Sequence, residues 1–293
     1  MLKFITFLLP LLLLLTACST QHEKPLKISV NSWIGYSPLF YAYDKGWLKE
    51  SNIKVVNVVS LAESVSIYNA KNADAFTGTQ YEYKIVKEKY SSLTPLMMLD
   101  RSFGGDMVMS NRSLQELKQS TMTIDAYLEM GSINQEVLKD FISFHGLDKT
   151  KIKYINKNQN DIAHLKSDNY KNPILIVTYA PYDIILGKHG FKTVASTKDG
   201  LAITVIDALF ASQDTYIEHK KQFKVLKEKT DKAIEVLNSD PKEFYAHVKP
   251  YLQDISYEEF QATLHDVKWI NKSISPELKQ QIQKINFPLD GLI

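Results

Sequence analysis

The stretch LKISVNSWIGYSPL, residues 26–39, joins a strand pattern directly to a helix start. Residues 26–30 are mostly apolar, as in a buried strand, and Ser37 followed by proline is a typical N-cap with its first helical residue. Trp33 and Tyr36 occupy the turn between the two elements. Because open α/β sheets bind ligands at the carboxyl ends of their strands, we predict that both rings face a ligand cleft. The alternative is that they pack into the core.

Short strand and helix patterns alternate on both sides of this stretch. Strands are predicted at 26–30, 53–59, 73–77 and 96–99, with helices at 38–50, 63–70 and 81–88. A second set has strands at 121–125, 151–155, 174–178 and 192–195, with helices at 134–144, 161–167 and 181–189. Only helix patterns follow residue 210, at 215–237, 241–252, 257–267 and 276–285. Short strand-helix-strand connections imply parallel strands, so we predict an α/β protein with two lobes and a helical C-terminal tail.

Small polar residues follow the predicted strands of the first set. We predict ligand contacts from Ser60, Thr77, Thr79 and Glu82. Free N–H groups at a helix start can bind an anion, and small side chains let a ligand approach the main chain. The alternative for Glu82 is that it caps its own helix.

The second set offers candidates of three kinds. Gly131 and Ser132 precede a predicted helix, where they can cradle an anion, although ordinary N-capping by Ser132 explains the same pattern. Thr178 and Tyr179 follow a buried strand. Tyr127 adds a ring that, with the other aromatic candidates, would sandwich a flat solute.

The segment DRSFGGDM, residues 100–107, links the two sets. Its paired glycines tolerate the backbone rotation of a closing hinge. We predict that Ser102 and Asp106 face the cleft, whereas Asp100 and Arg101 have the alternative of pairing with each other on the surface.

A single acid, Asp207, interrupts the apolar strand pattern VIDALF at 205–210. A buried carboxylate needs a partner. We therefore predict either a contact with a ligand amine or a hydrogen bond at a hinge.

The N-terminus has the pattern of an export signal. Lys3 precedes an apolar run at 4–15 that is too short to span a bilayer. The tetrapeptide LTAC, which ends at Cys18, resembles the bacterial lipobox, in which the cysteine is acylated and becomes the new N-terminus. We predict a signal peptide at 1–17, lipidation with palmitate at Cys18 and a tether at 18–25, which together anchor the protein to a membrane.

Composition argues against several classes of function. Cys18 is the one cysteine, so the chain has no internal disulfide and no thiolate metal cluster. The 35 Lys and Arg residues nearly balance the 33 Asp and Glu, so we expect no nucleic-acid partner. The seven histidines form no H-x-x-x-H pair, and no catalytic or nucleotide-binding signature is present. We predict that the protein is not an enzyme and uses no cofactor or metal.

Eight segments follow the order, and nearly the spacing, of the solute-binding proteins that serve ABC importers for nitrate, sulfonates, taurine and thiamine-type pyrimidines. They are NSWIGYSPLFYAYDKGWLKE, IKVVNVVSLAES, KNADAFTGTQYE, LDRSFGGDMVMS, SLQELK, GS at 131–132, VTYAP and VIDALF. The chain resembles this family over essentially its whole mature length. One departure from the family pattern is Ala180, where relatives often carry a carboxylate.

The resemblance implies a type II periplasmic binding protein fold, with two lobes joined by crossings near 99–110 and 202–210. Lobe one would be 26–105 plus 208–293, and lobe two 106–207. The implied function is that of a monomeric, extracytoplasmic, lipid-anchored protein on the periplasmic side, at the outer membrane if the cell has two. It would capture a sulfonate, a taurine-like or a thiamine-pyrimidine-like solute and deliver it to an ABC permease. The alternatives are a sensing lipoprotein that feeds a membrane receptor and an enzyme on the same fold.

Overall fold

The computed structural model of the chain describes residues 24–270 and 272–293. The predicted signal peptide and the lipidation site Cys18 lie outside the described residues, and so does the predicted tether except for its last two residues. Lys24, one of those two, forms an ion pair with Glu218 at 2.6 Å. Within the described ranges, no helix is long and apolar enough to cross a bilayer.

Strands and helices alternate along most of the chain. The strands are β1 (Leu26–Asn31), β2 (Ile53–Val58), β3 (Ala75–Thr79), β4 (Leu93–Ser102), β5 (Asp106–Ser110), β6 (Ile124–Leu128), β7 (Ile152–Asn156), β8 (Ile174–Tyr179), β9 (Lys192–Ser196), β10 (Ile206–Ser212) and β11 (Val267–Trp269). The helices are α1 (Ser37–Asp44), α2 (Leu61–Asn69), α3 (Gln80–Lys89), α4 (Leu114–Gln119), α5 (Asn134–His145), α6 (Gln159–Ala163), α7 (Tyr182–Lys188), α8 (Gln213–Glu218), α9 (Lys220–Ser239), α10 (Pro241–Val248), α11 (Tyr257–Thr263) and α12 (Pro276–Lys284).

The strands form two mixed sheets. The first has the order β11-β4-β10-β3-β1-β2, and the second has the order β7-β6-β8-β5-β9. Strand β1 pairs in parallel with β2 and β3, and β6 pairs in parallel with β7 and β8, as predicted. The expectation of parallel pairing throughout is wrong, because β10 runs antiparallel to β3 and β4, and β5 runs antiparallel to β8 and β9. We call each sheet with its helices a lobe.

Strands β5 and β10 each follow a passage of the chain from one lobe to the other. The chain leaves the first sheet after Ser102 and enters the second at Asp106, inside the predicted crossing. It leaves the second sheet after Ser196 and re-enters the first at Ile206. This return begins before the predicted range of 202–210. The two crossings touch, since Gly104 N donates to Thr197 Oγ1 at 2.8 Å.

Local signals account for most helix boundaries. Helix α5 ends at Gly146, as predicted, because this glycine adopts the left-handed conformation with φ of 68°. Helix α1 is shorter than the predicted 38–50, since it ends at Asp44 and the chain turns through Gly46 with φ of 72°.

The C-terminal region differs from the prediction in two places. The helix predicted at 215–237 is divided into α8 and α9. Residues 267–269 form strand β11 on the edge of the first sheet, starting at the last residue of the helix predicted at 257–267. Val267 pairs with Ser102 and Trp269 pairs with Asp100. The expectation of helices alone after residue 210 is therefore wrong. A three-residue strand carries too little periodicity to be recognised, and its partner strand lies far away in the chain.

The two lobes meet at the carboxyl ends of their parallel strands. Asn31 ends β1, and its side chain reaches Tyr179 at the end of β8. One core of buried side chains runs through both lobes, from the first strand to the second sheet. This arrangement brings loops after β1, β2 and β3 against loops after β6 and β8, and the candidate site lies there.

Candidate functional site: a buried acidic cluster between the lobes

Trp33 lies at the lobe boundary and is held by a buried carboxylate. Its indole Nε1 donates to both oxygens of Asp100, at 3.2 and 3.3 Å. The ring fits because its neighbours lack side chains: a Cβ on Gly105 would lie 2.3 Å from the indole Cη2, and one on Gly35 would lie 2.2 Å from Nε1. Asp100 is fully buried, so the alternative of a surface pair with Arg101 is wrong.

Tyr36 forms the second contact between an aromatic ring and an acid. Its hydroxyl donates to Asp207 Oδ1 at 2.5 Å, and both residues are buried. Burial, followed by the charges of Asp207 and Asp100, raises the pKa of Tyr36 well above its usual value. The phenol therefore stays protonated and remains a donor. This bond is the partner that an acid inside an apolar strand requires.

Tyr179 joins the two lobes through its ring and its hydroxyl. Its ring meets the Trp33 indole edge-on, with centroids 6.0 Å apart. Its hydroxyl accepts a hydrogen bond from Asn31 Nδ2 at 3.0 Å. Asn31 is fully buried, and its Oδ1 atom has no hydrogen-bond partner among the described residues. The boundary thus contains an acceptor that the surrounding side chains do not satisfy.

Glu82 bridges the lobes from the start of α3. Its Oε2 accepts from Thr79 N at 2.8 Å and from the Thr79 hydroxyl, which completes a capping box. Its Oε1 accepts from Ile133 N at 2.8 Å. Ile133 immediately precedes α5 of the second lobe. The carboxylate therefore sits at the N-terminus of a helix in the opposite lobe.

Glu129 makes the reciprocal bridge. It follows β6 in the second lobe, and its Oε1 accepts from Ala62 N at 2.9 Å, at the start of α2 in the first lobe. The Ser60 hydroxyl, which also accepts from Glu63 N as the N-cap, bonds to the same carboxylate. The other oxygen, Glu129 Oε2, is buried without a partner in the described part of the chain.

Asp106 lies where the two crossings meet. Its backbone N–H donates to Ser102 Oγ at 2.9 Å, and Ser102 Oγ lies 2.8 Å from Thr197 Oγ1. Ser102 therefore connects the first crossing to the second. The predicted pair of Ser102 and Asp106 is thus placed at the lobe boundary, with Ser102 bonded to the protein.

Five acidic residues from both lobes are buried, each with 0–4% of its surface exposed. We call them the acidic cluster: Glu82, Asp100, Asp106, Glu129 and Asp207. Burial raises the pKa of every member, to about 7 for Asp106 and Glu129. Repulsion within the cluster adds to this, since Asp100 raises the pKa of Asp207, and Glu82 raises those of Asp106 and Glu129.

No cation of the described residues neutralises this cluster. The ion pairs of the described ranges join other residues. No lysine, arginine or histidine is among the main causes of the pKa shifts of the five acids. The boundary is rich in carboxyl groups that no basic side chain of the described residues pairs with. No group of three or more metal-ligating side chains with suitable geometry is found in residues 24–270 and 272–293.

The other predicted site residues lie apart from the cluster or serve the backbone. Thr77 donates to Ser29 O beneath the first sheet. Thr178 donates to Gln159 Oε1 at 2.9 Å. Tyr127 packs against the Tyr170 ring in a separate apolar cluster of the second lobe. These three are not brought together with Trp33.

The polar groups of the turn before α5 form hydrogen bonds with other groups of the protein. Gly131 N donates to Gln135 Oε1 at 2.5 Å, and this glycine has φ of 79°. Ser132 Oγ donates to Glu129 O at 2.9 Å and accepts from Asn134 N at 3.3 Å. The predicted anion cradle is thus filled by protein groups, including the Glu82 carboxylate.

Sequence reasoning missed three residues of this site. Asn31 and Glu129 stand at the carboxyl ends of β1 and β6, which is the position used to select the other candidates. Applying that rule to every strand would have found both. Asp100 had no such signal, since its burial depends on pairing with β10 and on the Trp33 indole.

Comparison with known proteins rests on structure. No family model matches the sequence, and no curated protein matches it. The ligand-binding component of an ABC-type import system from Staphylococcus aureus, solved with zinc bound, superposes with a TM-score of 0.70 at 14% identity over 90% of this chain and 92% of that one. The alkanesulfonate-binding protein SsuA from Xanthomonas axonopodis, bound to MOPS, gives 0.67 at 12% identity over 89% and 90%.

A Candida albicans protein that defines a new family with the generic periplasmic binding protein fold gives a TM-score of 0.60 at 14% identity, over 84% of this chain and 82% of that one. These identities are low, so the likeness concerns architecture. The two mixed sheets, the double crossing between them and the C-terminal helices match it. The chain therefore has the periplasmic binding protein fold, and its structural neighbours include solute-binding components of ABC-type importers.

Proposed function

We propose that this protein is the extracytoplasmic solute-binding component of an ABC importer and that it holds a small organic solute between its lobes. The observation that carries this proposal is the set of buried aromatic and polar side chains contributed by both lobes at one boundary. Trp33, Tyr36 and Asp207 come from the first lobe, and Asp106 and Tyr179 come from the second. The structural neighbours support the same role.

The mechanism is capture by lobe closure. In an open state the two lobes separate about the two crossings, which lie between Ser102 and Asp106 and between Ser196 and Ile206. Solute that contacts both lobes binds the closed state more tightly and shifts the population towards it. A solute with equal affinity for both states would shift nothing. The proposal takes the described arrangement of the lobes as the closed state, and the low exposure of Trp33, 4%, supports this assignment.

Closure has a defined set of contacts that an open state would lose. They include the hydrogen bonds from Asn31 to Tyr179, from Ile133 to Glu82 and from Ala62 to Glu129. The ion pair between Lys188 and Glu259 and the bond from Tyr182 to Val59 O also join the lobes. Because each bond joins groups of different lobes, their total must be weak enough to break when the solute leaves. The closed form, monomeric and tethered by lipidated Cys18, would then dock on the permease.

The test is to purify the mature protein and identify any small molecule that copurifies by mass spectrometry, followed by a thermal-shift screen. Solute that binds only the folded form raises the melting temperature. Replacement of Trp33 by alanine is expected to weaken binding of that solute about tenfold or more, because a large buried ring contributes strongly to affinity. The proposal would be contradicted if calorimetry detects binding of no anionic, neutral or cationic solute and if no solute changes the radius of the protein in solution scattering.

A further inference from the structure

Two helix N-termini at the lobe boundary are occupied by carboxylates of the protein. Glu129 accepts from Ala62 N at the start of α2, and Glu82 accepts from Ile133 N at the start of α5. In both cases the acid belongs to the opposite lobe. Free N–H groups at such ends are the backbone sites that would receive an oxyanion. An oxyanion solute in this cleft would therefore have to displace a carboxylate from each end.

The charge of the boundary also disfavours an anion. The five acids of the acidic cluster are buried together, and no basic side chain of the described residues pairs with them. Buried like charges repel strongly because the protein interior screens them less than water does. An added anion would therefore disfavour the ionised form of these acids further, whereas an added cation would favour it.

Two further atoms at the lobe boundary are hydrogen-bond acceptors that lack a donor. Asn31 Oδ1 and Glu129 Oε2 are buried acceptors without a partner among the described residues. Both lie close to Tyr179, since Asn31 bonds to its hydroxyl and the charge of Glu129 acts on its pKa. Native proteins leave few buried polar atoms unsatisfied, so each such atom marks a place for an additional partner. A partner that donates satisfies both atoms, since the amide oxygen of Asn31 and the ionised carboxylate of Glu129 are acceptors.

Aromatic rings complete the boundary. Trp33 and Tyr179 meet edge-on beside the acids, and Tyr36 donates to Asp207. The negative face of an indole or phenol ring attracts a cation, most strongly where water is excluded. Rings and carboxylates together are suited to a flat group that carries positive charge and N–H donors.

We propose that the solute is an organic cation with N–H donors, of the amidinium or protonated nitrogen-heterocycle kind, and that Glu82 and Glu129 are specificity-determining residues that exclude oxyanions. This inference rests on the proposed solute-binding function. The N–H groups of the cation bond to the acids at the boundary and to Asn31 Oδ1. Glu82 and Glu129 keep both helix ends occupied during closure.

The experiment uses three probes of similar shape and different charge: benzamidine as the cation, benzamide as the neutral compound and benzenesulfonate as the anion. Thermal shift and calorimetry of the mature protein at pH 7.5 measure each probe at matched concentration. We expect benzamidine to raise the melting temperature by several degrees and to bind about tenfold or more tightly than benzamide, a ratio that reflects its positive charge and its additional N–H donors. Benzenesulfonate should give no shift.

Two isosteric variants test the role of the glutamates. Glu82→Gln and Glu129→Gln each remove one negative charge from a helix end, so each should weaken benzamidine binding and allow benzenesulfonate to bind. Glu116→Gln is the matched control, because Glu116 forms the same kind of capping box at α4 on an exposed surface. It should leave all three affinities unchanged. Circular dichroism of each variant verifies folding, and the second glutamate variant replaces the first if one of them does not fold.

The outcomes separate this inference from the proposed function. If benzenesulfonate binds the unmodified protein and benzamidine does not, the cleft takes anions, so the inference fails and the solute-binding function stands. If benzamidine binds but Glu82→Gln and Glu129→Gln behave as Glu116→Gln does, the role assigned to the glutamates is wrong. If no probe of any charge binds and no solute copurifies, both the inference and the proposed function fail.

Discussion

Two helices of this protein begin with the same motif and have opposite environments. At α3, Thr79 N donates to Glu82 Oε2 at 2.8 Å, and at α4, Ser113 N donates to Glu116 Oε2 at the same distance. Both are capping boxes with glutamate three residues after the cap. Glu82, however, is fully buried and also accepts from Ile133 N of the opposite lobe, whereas Glu116 lies on the surface.

The difference shows that the motif specifies a helix start and nothing about charge. Burial raises the pKa of Glu82, whereas the hydrogen bonds from Ser113 lower the pKa of Glu116. In one case the carboxylate is destabilised and joins two lobes, and in the other it is stabilised and serves one turn of helix. The tertiary surroundings therefore decide which of the two acids takes part in the site.

The largest expected effect comes from deleting each carboxylate. Glu82→Ala leaves the N–H groups of Thr79 and Ile133 buried without an acceptor, so we expect a loss of about 2–4 kcal/mol in the free energy of unfolding. Glu116→Ala should cost much less, because water replaces its acceptor. Urea unfolding of both variants measures the two values, and equal losses would show that the lobe contact of Glu82 adds no stability.

The pH dependence of stability is an effect of similar size for each titrating group. Between about pH 4.5 and 7 the folded protein holds protons on Glu129 and Asp106, whose pKa values rise to about 7, while the unfolded chain has released them. The free energy of unfolding should therefore fall as pH rises through this window, by on the order of 3 kcal/mol for each of the two groups. Because the pKa of Glu116 is lowered, its contribution to the free energy of unfolding increases as pH rises, and it does so only below this window.

Chemical unfolding at pH 5 and pH 7.5 measures this trend, with Glu129→Gln as the comparison variant. Replacement by glutamine removes the titrating group, so the slope should become smaller. A slope that is unchanged in Glu129→Gln and Asp106→Asn would mean that other groups are responsible. Affinity for a cation should follow the reverse trend and increase with pH, because binding favours the ionised acids.

The smallest effect distinguishes the two caps themselves. Ser113→Ala removes an exposed N-cap and should cost about 0.5–1 kcal/mol, whereas Thr79→Ala removes a buried one that also bonds to Glu82 and should cost nearer to about 2 kcal/mol. Thermal unfolding of the two variants measures the difference. Equal costs would indicate that the burial of the α3 box does not strengthen its cap.

Prediction of the fold succeeded where the signal was local. The strand at the start of the quoted stretch, a helix with proline in its first turn and the end of α5 at Gly146 follow from apolar periodicity, proline geometry and glycine conformation. The N-cap predicted at Ser37 is wrong, because Ser37 is the first residue of α1, its N-cap is Tyr36 and no side chain caps this helix. Strand β11 and the antiparallel direction of β5 and β10 could not be predicted from local signals, because they depend on partner strands distant in the chain. The placement of Trp33 and Tyr36 at a carboxyl end was predictable from the same local pattern.

The sequence by itself determined the α/β alternation, the capping boxes and the position of two aromatic rings after the first strand, since each depends on neighbours within a few residues. Only the tertiary structure decided that five acids share one buried boundary and that Glu82 and Glu129 cap helices of opposite lobes. The physical reason is that burial and repulsion depend on distances between groups far apart in the chain, and these distances exist only after the lobes close.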